Sequence, residues 1–155
     1  PISRFEFVSA QVASRFMIVV VTSVVVFTAT NLALNFMMLG SYLLLLVHTM
    51  LAVFCMISLG LIFATRITSE ELASGLMNIV TLPMILISGV FFSLEGSPAI
   101  LRAISQAFPL THFVEGARAI MLEGAGVVEV APNLLALVGF TAAFLSIAAL
   151  LFRWE

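Results

Sequence analysis

Between Arg15 and Arg66 the chain carries no Asp, Glu, Lys or Arg. That stretch is too long for one membrane crossing, since a helix rising about 1.5 Å per residue needs only ~20 residues to span a ~30 Å hydrocarbon core. The break falls at Gly40-Ser41, predicting one span over 16–39 and a second over 42–64, joined as a tight helical hairpin. The polar run RITSEELASG (66–75) then reads as a helix start. Thr68 or Ser69 supplies a cap, and Glu70 and Glu71 suit the first turn. A third span is predicted over 76–94; Pro83 and Ser88-Gly89 within it predict a kink or local unwinding. The last span is predicted over 134–152, opened by Pro132-Asn133 and closed by Arg153-Trp154-Glu155, with Trp154 as an interfacial anchor. The expected fold is therefore all-α: a polytopic membrane bundle of four transmembrane helices.

Two further segments break the apolar pattern. At the N-terminus, Ile2, Phe5, Val8 and Val12 recur at three- and four-residue steps among Arg4, Glu6, Ser9, Gln11 and Arg15. That periodicity predicts a short amphipathic helix over 1–15 along the cytoplasmic face, either leading into the first span or docking a cytoplasmic partner. The second segment, 98–124, carries Arg102, Gln106, His112, Glu115, Arg118 and Glu123, and Pro109 splits it. Each ionised side chain at mid-bilayer costs ~2.5–3.5 kcal/mol or more, so a fifth crossing is disfavoured. A pair of short helices lying on, or dipping into, the outer face fits better, its irregular backbone shielded by protein or water.

Composition agrees with lipid as the solvent. The 155 residues are 63% hydrophobic and 9% charged, with mean hydropathy +1.26, against about 45–50% and 25% in soluble domains. All six basic residues are Arg, all eight acidic residues are Glu, and the net charge is −2, which gives no nucleic-acid signal. Four crossings place Arg4, Arg15, Arg66 and Arg153 on one side and Arg102 and Arg118 on the other. The positive-inside rule makes the first side, with both termini, cytoplasmic. Because the sequence starts on Pro1, without the basic opening of a signal peptide, it reads as a piece of a longer polypeptide.

The search for catalysis is negative. The sequence holds no Asp, no HExxH, no GxSxG, no Gly-rich phosphate loop and a single cysteine, Cys55, so no catalytic, cofactor or metal residue is assigned. His48, near the outer end of the second span, reads as a polar contact inside the bundle or as a substrate or proton group. Asn31 and Asn35 read as interhelical hydrogen-bonders. Gly139, Ala142, Ala143, Ser146 and Ala149 form a small-residue packing face on the last span. Glu115 and Arg118, three apart, are placed either to form a solvated ion pair or to build an outer gate.

LPMILISGVFFSL followed by FPLTHFVEGARAIMLEG resembles the C-terminal half of ABC-2 type transporter permeases. The matching positions are Pro83, Ser88, Gly89, Phe92, Pro109, Leu110, Thr111 and Arg118, and the opening PISRFEFVSAQ matches at Pro1, Ser3, Arg4 and Glu6. The resemblance implies that the four spans are the third to sixth of a six-span permease, and that 98–124 is a pair of short re-entrant helices on the extracytoplasmic side before the last span. Ser3, Arg4, Phe5 and Glu6 would belong to a coupling helix. Pro83, Ser88, Gly89, Pro109, Glu115 and Arg118 would belong to the family motif and outer gate. It implies further an ABC ATP-binding subunit that carries ATP and Mg, a second permease copy, and a bacterial plasma (inner) membrane. The function so implied is export of an amphipathic drug, polysaccharide or lipid by alternating access. The rivals are a secondary transporter or channel fragment, disfavoured by the uncharged 15–66 interval, and a membrane scaffold that transports nothing.

Overall fold

A computed structural model describes residues 4–151, and every described element is helical. The order is α1 (Arg4–Leu34), α2 (Tyr42–Ala64), α3 (Glu70–Ile87), α4 (Ala99–Ser105), α5 (Pro109–Arg118) with a π-helical last turn (Ala119–Glu123), and α6 (Val127–Leu151). Four of these, α1, α2, α3 and α6, are long and apolar enough to cross a membrane.

The ends of these helices show how local chemistry sets the lengths. The first break is a seven-residue link rather than a point at Gly40: α1 stops at Leu34, and Asn35 turns the chain with a left-handed φ of 47°. Asn tolerates that region better than other side chains. The N-terminal segment and the first span form one unbroken helix of 31 residues. At about 1.5 Å per residue it is roughly 46 Å long, well beyond a ~30 Å core, so its polar end projects past the apolar part without a bend. Ser41 caps α2 by accepting from the Leu44 amide at 3.4 Å. The α3 helix starts at Glu70, inside the polar run, and ends at Ile87. In α6 the helix starts at Val127, ahead of Pro132, which lies within it. Its start is capped by Glu129, whose Oε2 accepts from the Gly126 amide at 2.6 Å. That is the carboxylate half of a capping box. Trp154 and Arg153 lie outside the described residues.

Packing centres on α2, which touches α6, α5, α1 and α3. One buried cluster joins Leu44 and Leu45 of α2 to Ile120, Ala125 and Val130. A second joins Ala52 and Cys55 to Leu137, with Phe113, Phe140 and Phe144 around it. The α1 helix packs chiefly on α2, through edge-to-face contacts such as Phe16–Phe54 and Phe27–Tyr42. The small face of α6 turns outward: Gly139, Ala142, Ala143, Ser146 and Ala149 are all exposed.

Candidate functional site

The polar groups of the structure converge on α5. Its start follows from Pro109, which fills the first helical position, where a missing N–H costs nothing. Phe108 before it is extended at φ −109°, ψ 132°, as a residue preceding proline must be. The helix packs against α2, α6 and α3.

Towards α2, His48 is fully buried and Nε2 donates to the Phe113 carbonyl at 3.0 Å. The imidazole lies nearly parallel to the Phe113 ring, with centroids 5.6 Å apart. A glycine makes this approach possible, because a Cβ on Gly116 would sit 2.5 Å from His48 Cε1 and Nε2. Of the two readings of His48, the geometry supplies the contact inside the bundle. His48 Nδ1 and Thr111 Oγ1 are buried without partners among the described residues.

Towards α4 and α6 runs a short hydrogen-bond chain. Glu115 Oε1 accepts from Gln106 Nε2 at 3.0 Å, and the Gln106 carbonyl accepts from His112 Nε2 at 2.9 Å. His112 Nδ1 then meets the Asn133 side chain at 3.3 Å. Towards α3, Arg118 Nη2 donates to the Gly89 carbonyl at 3.0 Å. Glu115 and Arg118 are therefore not an ion pair: each finds a partner on a different element. A surface pair gains less than 1 kcal/mol, whereas a charge-assisted bond to a backbone carbonyl is worth ~1.5–3 kcal/mol.

The Arg118 contact also explains the Ser88-Gly89 pair. Ser88 is buried, its amide bonded to the Met84 carbonyl and its Oγ to the Ile85 carbonyl, and Gly89 takes φ +82°. This is a helix stop of the left-handed glycine type, and the arginine sits at the carbonyl end, where the helix dipole favours a cation. The predicted kink in a continuing helix is thus a termination at Ile87. Pro83 lies inside α3, exposed and four residues before that stop. So Gly89, Glu115, Arg118 and Pro109 gather around α5, while Pro83 stands apart.

A backbone clasp closes the same end. The Leu39 amide donates to the Met121 carbonyl at 3.1 Å, in the π-helical turn. Gly40 lies so close to Ile120 that a Cβ there would run into the Ile120 carbonyl. Gly124, at φ +67°, ends the turn against Leu39. Between α1, α2 and α5 there remains an open cleft of about 790 Å³, with Thr22, Phe27, Tyr42, Thr49, Phe113 and Met121 among its walls.

Of the predicted coupling residues, Ser3 lies outside the described residues, and the Arg4 and Phe5 side chains are likewise not described. Glu6 is exposed in the first turn of α1, and its carbonyl accepts from Ser9 Oγ at 3.0 Å. The sequence reading missed Gln106 and Asn133 as partners, and Gly40 and Gly116 as close-approach sites. Gly116, a glycine inside a helical segment, was the available signal for one of them.

Residues 1–122 match the family described as ABC-2 type transporter. The inner membrane transport permease YhhJ of Escherichia coli (strain K12) is 32% identical over 154 residues, covering 99% of this chain and 41% of that protein. The probable multidrug ABC transporter permease YbhS of the same organism is 28% identical over 109 residues, covering 70% of this chain and 29% of that protein. The chain thus spans less than half of the relatives it matches, and no solved structure matches it.

Proposed function

This chain belongs to the ABC-2 type transporter family, and we propose that it is membrane-embedded machinery of a permease subunit in an ATP-driven exporter of amphipathic cargo. The carrying observation is the family match over residues 1–122, on a chain whose described helices include four fit to cross a membrane. The named relatives are an inner membrane transport permease and a probable multidrug permease. They support a bacterial inner membrane and, more weakly, a drug-like cargo.

In this reading ATP and Mg are bound by a separate ATP-binding subunit, and two permease copies work together. Force enters at the N-terminal end of α1, around Ser3, Arg4, Phe5 and Glu6. Because α1 is one continuous helix to Leu34, a displacement at that end reaches the α1–α2 link as a rigid movement. The link is clasped to the π-helical turn of α5, so the same movement reaches Arg118 and the α3 stop. Both termini are cytoplasmic, and α4 and α5 lie on the outer side, where Glu115 and Arg118 brace or gate the exit. The cycle requires that the ATP-bound partner favour one of two arrangements of this lever, since a ligand shifts an equilibrium only through differential affinity.

The test is to purify the full-length protein with the products of neighbouring genes and measure ATPase activity and cargo movement in vesicles. An ATP-binding subunit should copurify and be stimulated by amphipathic compounds. Transport that persists without ATP sinks the proposal. Charge reversal at Arg4 or Glu6 should uncouple hydrolysis from transport while leaving insertion intact, and a cysteine at Ala99 should react with an impermeant external label.

A further inference from the structure

The cleft between α1, α2 and α5 has a shape and chemistry that select an occupant. Along α1 its wall runs from Ile18 to Thr30, roughly 18 Å at the helical rise. One leaflet of the hydrocarbon core is about 15 Å deep. No charged residue lines it. The hydroxyls that α1 contributes are already engaged: Thr22, Ser23, Thr28 and Thr30 each donate to the carbonyl four residues back, at 2.7–2.8 Å. That wall therefore offers a ligand dispersion contacts and nothing polar to satisfy.

The other side differs at one end. Tyr42, the first residue of α2, accepts from Asn31 Nδ2 at 2.8 Å, and its own O–H has no acceptor among the described residues. It stands beside the polar turn at Gly40-Ser41, the level at which tyrosines mark the membrane interface. Below it, Phe27 and Phe36 meet edge to face, 5.7 Å between centroids. A second, smaller hollow of about 380 Å³ continues the cleft past Val19, Thr49 and Phe113 towards Ile57.

We infer that this cleft seats one acyl chain of a bilayer glycerolipid, from the leaflet on the side of the α1–α2 link, with the ester carbonyl accepting the Tyr42 hydroxyl. The cavity lies within the usual ~300–1,000 Å³ range of ligand sites. It opens sideways between two membrane-spanning helices, where hydrocarbon chains are the solvent. A seated chain fills the wedge that α1, packed chiefly on α2, leaves open. The inference needs only that these helices cross a bilayer, so it is separate from ATP-driven export.

The experiment uses full-length permease in phosphatidylcholine vesicles that contain a phosphatidylcholine probe with a photoreactive diazirine in one acyl chain. Adducts are mapped by mass spectrometry. Expected are yields in 18–30 and 42–57 several-fold above those around Leu135 and Val138, exposed on α6. Ser23→Trp, which fills the cleft, should reduce the cleft adducts to the α6 level without changing the latter. In vesicles of ether-linked phosphatidylcholine, Tyr42→Phe should weaken labelling by an ester-linked probe about three- to tenfold, the loss of one hydrogen bond, and leave an ether-linked probe unaffected. Cleft yields equal to those on α6 in the unmodified protein overturn the inference. So does displacement of the probe by transported compounds, which would make the cleft a cargo site. Efficient cross-linking of a cysteine at Ser23 to another protein segment overturns it as well.

Discussion

The α1 and α5 helices invert the usual relation between hydrophobicity and burial. The α1 helix has 31 residues, uncharged and mostly apolar beyond Arg15, yet most of its side chains face outward. The α5 helix has ten residues, including His112, Glu115 and Arg118, and is tied to α2, α3, α4 and α6. In water the more apolar helix would lie deeper. In lipid, burying apolar surface against another helix gains little, because the tails are as apolar as leucine. Close backbone approach and polar hooks decide what packs. Apolar length buys insertion for α1; glycines and hydrogen bonds give α5 its seat.

Changes around α5 should therefore cost far more than changes along α1. The largest effect is expected for Gly40→Ala, whose Cβ would meet the immobile Ile120 carbonyl. Overpacking against backbone should cost roughly 3 kcal/mol, seen as a large fall in the thermal unfolding midpoint of the detergent-solubilised protein. Gly116→Ala should cost about 2 kcal/mol, because the His48 ring opposite can yield slightly. His48→Phe keeps the ring stack and removes the donor, leaving the Phe113 carbonyl short of a partner at a cost of about 1–2 kcal/mol. Double-mutant coupling between His48→Phe and Gly116→Ala should be clear, since the two sites touch. Arg118→Met should cost about 1.5 kcal/mol and raise protease cleavage within 88–98, the segment after the α3 stop. At the small end, Thr28→Val on α1 should stay within about 0.5 kcal/mol. An α1 substitution as damaging as Gly116→Ala would break the contrast.

The four spans were legible because insertion is a one-dimensional property: uncharged length between arginines reads directly off the chain. So was the split of 98–124, through Pro109. The α5 contacts were not: Gly89 and Asn133 lie 29 and 21 residues from their partners, Gln106 meets Glu115 across the Pro109 break, and none carries a periodic signal. Glu115 and Arg118 illustrate this. Their spacing suggests a local pair, and partners outside α5 took both. Ser88-Gly89 was read as a kink or local unwinding because glycine after serine marks either a bend or a stop; the arginine that favours the stop comes from another helix. Pro132 was read as an opener because it is the strongest helix-start signal nearby. The actual cap, Glu129 reaching back to Gly126, lacks the Ser or Thr that usually makes such a box visible.

The Leu39–Met121 hydrogen bond can form only late in synthesis, because its two partners are 82 residues apart. The α1–α2 hairpin leaves the ribosome ahead of α3 to α6 and can enter the bilayer by its apolar length alone. The clasp needs the π-helical turn, which emerges only after α3 has been threaded and α4 and α5 have reached their side. Until then the link at Gly40 is bare, with an unbonded amide and an empty groove beside a glycine. A nascent chain halted before Met121 should expose that link to quality-control proteases, and one extended through Gly124 should hide it. The clasp thereby reports that the polar hairpin has reached its place.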